Sequence, residues 1–275
     1  MRYTERLMQK SAESKSILCM GLDPVLEKIP LKEGNTEARI IHFYSSILDA
    51  SPKVSALKPN YAFFAQYGFE GLRALRELIA KYKGKYPIIL DAKRGDISTS
   101  AGAYAREIFE FYGADATTVS PYTGSDSIKP FMQFPDCFSY VLCRTSNPSA
   151  GELQSLKAGG KPLYLHVAQN LAALDEGKGL LGAVVGATAP KELRTIAKVL
   201  SPAKVPLLIP GVGSQGASAK ETAKILKRAY GENVHLCLIN ASSSINYAYL
   251  EQKTEDFAGA ALKEIERMNK EIHIR

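Results

Sequence analysis

Residues 86–113 read YPIILDAKRGDISTSAGAYAREIFEFYG. The first half is an apolar run, Ile88 to Leu90, that ends in charge at Asp91 and Lys93. The second half carries a period near 3.6 and stops at Gly113, which suits a left-handed helix cap. This is a strand followed by a helix. Seven further runs of the same kind occur: SILCMGLD (16–23), VSALKPN (54–60), ADATTVSPY (114–122), FSYVLCRTSN (138–147), LGAVVGAT (181–188), VPLLIPGVG (205–213) and VHLCLINASS (234–243). Such short runs, bounded by Gly, Pro and Asn, read as strands buried on both faces of a parallel sheet.

The segments between them are expected to be helical. EARIIHFYSSILDA places Ile40, Ile41, Tyr44, Ile47 and Leu48 on one face. FEGLRALRELIAKYKGK does the same with Leu72, Leu75, Leu78 and Ile79. Later segments stop at Ser201-Pro202 and at Gly231, and DFAGAALKEIERMNK supplies the last helix. Eight strand-then-helix units predict a single (β/α)8 TIM barrel over residues 1–275. The alternative is an open doubly wound sheet, disfavoured by the count of eight and by the lack of a GxGxxG loop.

Composition narrows the function classes. The chain of 275 residues is 45% hydrophobic and 23% charged, with a net charge of +7. That excess permits an anionic ligand, but no clustered basic stripe argues for nucleic acid. No apolar run approaches the roughly 20 residues of a membrane span. The first sixteen residues mix both charge signs and lack the apolar core of a secretory signal, so a cytoplasmic location is expected. Cys19, Cys137, Cys143 and Cys237 form no CxxC pair and read as buried reduced thiols. His42, His166, His235 and His273 show no metal-ligand spacing, and no metal is expected.

In a TIM barrel, function sits at the C-terminal strand ends. These ends carry Asp23, Lys58, Asp91, Lys93, Asp96, Ser146, Asn147, Thr188, Gln215 and the 240–244 stretch. Asp91 and Lys93 project from the same side of their strand, and Lys58 ends the neighbouring one. Charges there are costly unless carboxylate and ammonium alternate. An alternating array can fix an ammonium as a proton donor beside an ionised carboxylate. Taken alone, DxKxxD also suits a surface turn with incidental ion pairs.

LDAKRGDI (90–97) resembles the signature of the orotidine 5′-phosphate decarboxylase family, and the order of the other motifs agrees. GLDP (21–24), LKPN (57–60), SPYTGSDSIKPF (120–131), TSNPSAG (145–151), VVGAT (184–188), IPGVGSQG (209–216) and NASSSINYA (240–248) each resemble a family strand end, those at 120–131 and 145–151 resembling its longer-chain bacterial branch. The resemblance implies cofactor-free removal of the C6 carboxylate of orotidine 5′-monophosphate, giving UMP and carbon dioxide. It implies Lys93 as proton donor to C6, Asp91 against the substrate carboxylate, and Lys58 completing the array. Asp23 is implied as a ribose ligand, Ser146 as a contact to the pyrimidine edge, and Gln215 as a bridge between a closing loop and the phosphate. Thr188 belongs to the sixth strand end of the same site, and Ser242 and Ser243 to its phosphate end. Asp96, with Ser100 beside it, is implied to enter the partner's site in a homodimer.

One position departs from the resemblance. The family's eighth strand end carries an Arg that grips phosphate; aligning on Ile245 places Ser243 there, and no Lys or Arg occurs between Arg228 and Lys253. The alternatives are another sugar-phosphate decarboxylase or aldolase on the same scaffold, and a nucleotide-binding protein with impaired catalysis.

Overall fold

The computed structural model describes residues 1–213 and 216–274. The eight apolar runs form β1 (Leu18–Leu22), β2 (Ala56–Pro59), β3 (Ile89–Arg94), β4 (Ala116–Val119), β5 (Phe138–Arg144), β6 (Leu181–Val185), β7 (Leu207–Ile209) and β8 (Leu238–Ala241). They lie in one parallel sheet of order β2-β1-β8-β7-β6-β5-β4-β3. The two end strands meet through parallel bridges, Leu57 to Ile88 and Asn60 to Asp91. The Leu57 N–H donates to Pro87 O at 3.0 Å across the same seam. The sheet therefore closes into a barrel, and the open doubly wound alternative is excluded.

The barrel interior is filled by Cys19, Ala56, Ile89, Ala116, Phe138, Tyr140, Val184, Leu208 and Leu238. A helix that precedes β1, Tyr3–Ser14, closes its lower end with Tyr3 and Leu7. The Tyr3 ring stacks on Phe138 at 4.8 Å between centroids, and its hydroxyl lies 3.1 Å from the Tyr140 hydroxyl. Phe138 begins β5, so this plug sits opposite the catalytic end of a barrel. Tyr3→Ala should cost about 3–5 kcal/mol in denaturant unfolding, as for other buried aromatic truncations. Turnover by the remaining folded enzyme should be unchanged, because the lesion is at the far end.

Outside the strands, helices cover a second apolar layer. Thr36–Leu48 is capped by the Asn35 side chain, which accepts from the Ala38 N–H at 2.9 Å, and buries Ile40, Phe43, Tyr44, Ile47 and Leu48. Ile41, expected on that face, is only half-buried. Gly68–Tyr82, Leu163–Asp175, Pro190–Leu200, Ala219–Tyr230 and Phe257–Ile272 continue the ring. Ser98–Arg106 runs on through a π-helical turn to Gly113, whose φ of 71° ends it as expected. The segment after β4 departs from the pattern. It forms two 3-10 turns, Gly124–Ser127 and Lys129–Gln133, and no α-helix. Gly124 has a φ of 81°, and Pro130 lacks the N–H that an α-helix needs, so the turns do not propagate. After β5 a short hairpin, Lys157–Ala158 against Lys161–Pro162, precedes the next helix. His166 points its Nε2 at Ala158 O of that hairpin, 2.9 Å away, and is not a core residue.

No helix among the described residues is long and apolar enough to cross a membrane. All four cysteines are free, and burial pushes the Cys19 and Cys143 thiols up to about 12 and that of Cys137 to about 11.

Candidate active site

Ile89 faces the barrel interior, and strand alternation puts Asp91 above it at the mouth. Asp91 is 7% exposed. Its Oδ2 accepts from Lys58 Nζ at 2.8 Å, and its Oδ1 from Lys93 Nζ at 2.7 Å. Lys58 reaches it from the neighbouring β2 and is 4% exposed. Lys93 is different: half of its side-chain surface is open to the cavity.

Lys93 also has an unusual backbone. Its φ is 45°, the left-handed region that side-chain-bearing residues rarely adopt. The register between β3 and β4 slips here, between Leu90 and Arg94. Thr118, buried on β4, accepts the Lys93 N–H at 2.9 Å and donates its hydroxyl to Asp91 Oδ1 at 2.7 Å. One threonine thus holds the bulged backbone and one oxygen of the carboxylate. The strain is of the order of 1–2 kcal/mol, and it folds the ammonium back onto Asp91.

Burial alone would raise the Asp91 pKa, but the two ammonium groups outweigh it and hold the carboxyl well below the usual carboxylate range. For Lys58, burial would lower the pKa, but Asp91 and then Asp23 reverse this and raise it. The floor is therefore a fixed pattern of plus, minus, plus in a site of low dielectric.

This array forms the floor of a cavity of about 650 Å³. Asp23, Ser146, Ser242 and Ser243 line it, as expected from their strand ends. Two glycines create room for these residues. A Cβ on Gly21 would lie 1.9 Å from Ser242 Oγ, and one on Gly186 would lie 2.7 Å from Ser146 Cα. Asp23 Oδ1 and Asn240 Oδ1 are buried without a hydrogen-bond partner. Such acceptors are costly unless a ligand or water supplies the donor.

The remaining candidates lie elsewhere. Asp96 is exposed, with its carboxylate accepting from the Ile97 N–H at 2.7 Å, and Ser100 is exposed on the following helix; neither is part of the cavity lining. Thr188 donates to Ser146 O at 3.0 Å and lines an adjoining cavity of about 320 Å³. Gln215 lies outside the described residues. Asn240, from the 240–244 stretch, lines the main cavity as expected; Asn60, Thr118 and Tyr247 also line it and were not singled out by the sequence. The available signal for Thr118 was a pair of threonines, Thr117 and Thr118, inside a short buried strand. No group of three or more His, Cys, Asp or Glu among the described residues is placed to hold a metal ion.

A closed (β/α)8 barrel with a lysine–aspartate–lysine floor at its strand ends defines a barrel-enzyme site built on preorganised charge. Residues 16–254 match the family model described as orotidine 5′-phosphate decarboxylase / HUMPS family. The chain is 42% identical over 263 residues to an orotidine 5′-phosphate decarboxylase of Cupriavidus necator, covering 95% of this chain and 94% of that one. It superposes on the Leishmania donovani OMP decarboxylase with a TM-score of 0.81 and 34% identity, over 99% of both chains. Against the UMP synthase of the same organism the TM-score is 0.83 at 36% identity; 98% of this chain is covered, but it spans only 56% of that protein. The chain belongs to the orotidine 5′-phosphate decarboxylase / HUMPS family and is an enzyme.

Proposed function

We propose that this chain converts orotidine 5′-monophosphate to UMP and carbon dioxide, the last step of de novo pyrimidine nucleotide synthesis, in the cytoplasm and without a cofactor. The Lys58–Asp91–Lys93 array at the cavity floor carries this reading. The C6–carboxylate bond breaks heterolytically, its electron pair stays on C6, and carbon dioxide leaves. Lys93 Nζ then delivers a proton to C6. A carbanion at this vinylic position is poorly stabilised by the ring, so an ammonium fixed where the charge develops is the effective remedy. The half-open Lys93 side chain regains its proton from solvent. Asp91 sits against the substrate carboxylate, disfavouring the bound ground state, and orients Lys93. Lys58 holds Asp91 from below and reaches the ribose.

In the same reading, the unpaired Asp23 Oδ1 takes a ribose hydroxyl, and Ser146 hydrogen-bonds the pyrimidine edge. Thr188 steadies Ser146 through its backbone carbonyl. Ser242, Ser243 and Gln215 bind the phosphate, whose remote binding energy drives alignment at C6.

Asp96 and Ser100 enter this reading as residues of a homodimer, each entering the partner's site. Their exposure and their place outside this cavity's lining are compatible with that role. Mixing inactive Lys93→Ala and Asp96→Ala chains should then restore activity, because each hybrid dimer holds one site with both native residues. Activity of the mixture that stays at the sum of the two parents, after subunit exchange has been verified, contradicts shared sites. The activity itself is tested by direct decarboxylation of orotidine 5′-monophosphate by the purified chain.

A further inference from the structure

Three lysines line the cavity among the described residues: Lys28, Lys58 and Lys93. Lys58 and Lys93 are both committed to Asp91 at the floor. Lys28 pairs with no carboxylate among the described residues. It stands at the end of a 3-10 turn, Leu26–Lys28, and is exposed at the cavity mouth. Its Nζ lies 5.4 Å from the centroid of the Tyr247 ring, a contact weak enough to be exchanged for an anion.

Tyr247 fixes where that ammonium stands. Its hydroxyl donates to Asp23 O at 2.9 Å and accepts from the Val25 N–H at 2.8 Å. Its own N–H donates to Ser243 O at 3.0 Å. The tyrosine therefore ties the loop that carries Lys28 to the turn that carries Ser242 and Ser243. The backbone of the Lys28 turn is also anchored. The Arg39 guanidinium donates to Leu26 O at 3.0 Å, the Leu26 N–H donates to the Tyr67 hydroxyl at 3.1 Å, and the Tyr249 hydroxyl donates to Lys28 O at 2.8 Å. An anchored backbone with an uncommitted ammonium is a preorganised anion ligand. The described ends of β7 and β8 at this side of the cavity present Pro210, Gly211, Val212, Ser242 and Ser243, and none of these carries a charge.

We propose that Lys28 is the cation that holds the phosphate group of the nucleotide, with Ser242 and Ser243 as neutral partners. The proposal rests on the reading of the cavity as a nucleotide 5′-monophosphate site, and it names the group that neutralises the phosphate there.

The test compares wild type, Lys28→Ala, Lys28→Arg and Lys28→Ala/Ser243→Arg. Binding of UMP and of uridine is measured by calorimetry, and steady-state kinetics are run with orotidine 5′-monophosphate. Lys28→Ala should weaken UMP binding and raise KM by roughly 10- to 100-fold, the range of one charge-assisted contact. It should leave uridine binding unchanged, because uridine carries no phosphate. Lys28→Arg should stay near wild type, and Ser243→Arg should recover most of the loss, because it returns a cation to the same end of the cavity. Unchanged UMP binding in Lys28→Ala, or an equal loss for UMP and uridine, overturns the proposal. If the wild type binds UMP but does not decarboxylate the substrate, the reading of the reaction fails, and the binding comparison still decides the role of Lys28.

Discussion

The Lys93→Ala enzyme turns over orotidine 5′-monophosphate about 10²–10⁴-fold more slowly than wild type, the range expected for loss of a positioned proton donor. Its denaturant midpoint moves little. Half of the Lys93 side chain is open to the cavity, so solvent screens its pairing with Asp91 and that pairing adds at most about 1 kcal/mol. Lys58 stays on the carboxylate, so truncating Lys93 leaves no buried charge without a partner. The large loss in kcat with a small loss in stability separates a reacting group from a structural one. Turnover within a few-fold of wild type, measured on protein shown to be folded, would remove Lys93 from the chemistry.

Asp91→Ala gives the opposite balance. It removes the carboxylate that compensates Lys58, a residue that is 4% exposed and whose ammonium pairs with no other carboxylate among the described residues. Removing one partner of a buried pair costs about 3–5 kcal/mol. In a chain of this size that lowers Tm by roughly 5–15 °C. The effect also has a pH signature. The Asp91 carboxyl is held below its ordinary value in the folded chain, so the unfolded chain takes up the proton first as pH falls. Its contribution to stability is complete above about pH 4, the ordinary carboxylate value, and is lost as acid carries the pH down toward the folded value. The stability gap between wild type and Asp91→Asn should therefore narrow below about pH 4. A gap that widened in acid would mean that Asp91 is not held ionised by its two lysines.

Asp91, Lys93 and Lys58 were legible in the sequence because each ends an apolar run, and a strand repeats its direction every two residues. The way Lys93 is held was not. Its left-handed backbone depends on a slip in register against β4 and on Thr118, which is 27 residues from Asp91 and meets it only when the strands align. The plug at the lower end was also hidden. Helix Tyr3–Ser14 precedes the first strand and so falls outside the strand-then-helix pattern, and Tyr3 and Leu7 become core residues only once a closed barrel offers an open end. After β4, Gly124 and Pro130 are breakers visible in the sequence, and they set this unit apart from the others. Lys28 gave no periodic signal because it lies on a loop whose position is set by hydrogen bonds to Arg39, Tyr67 and Tyr249, all distant in the chain. Asp96 and Ser100 were readable as strand-end and helix-start residues.

Product analysis is the most direct check on a decarboxylation driven by the charge array. Purified chain is incubated with orotidine 5′-monophosphate in the presence of a chelator, and UMP and carbon dioxide are both quantified against a Lys93→Ala control. One UMP and one carbon dioxide are expected for each substrate consumed, at a rate that the chelator does not change and that the control lacks. Substrate recovered intact from the wild-type chain, at enzyme concentrations where the control also leaves it intact, would contradict it.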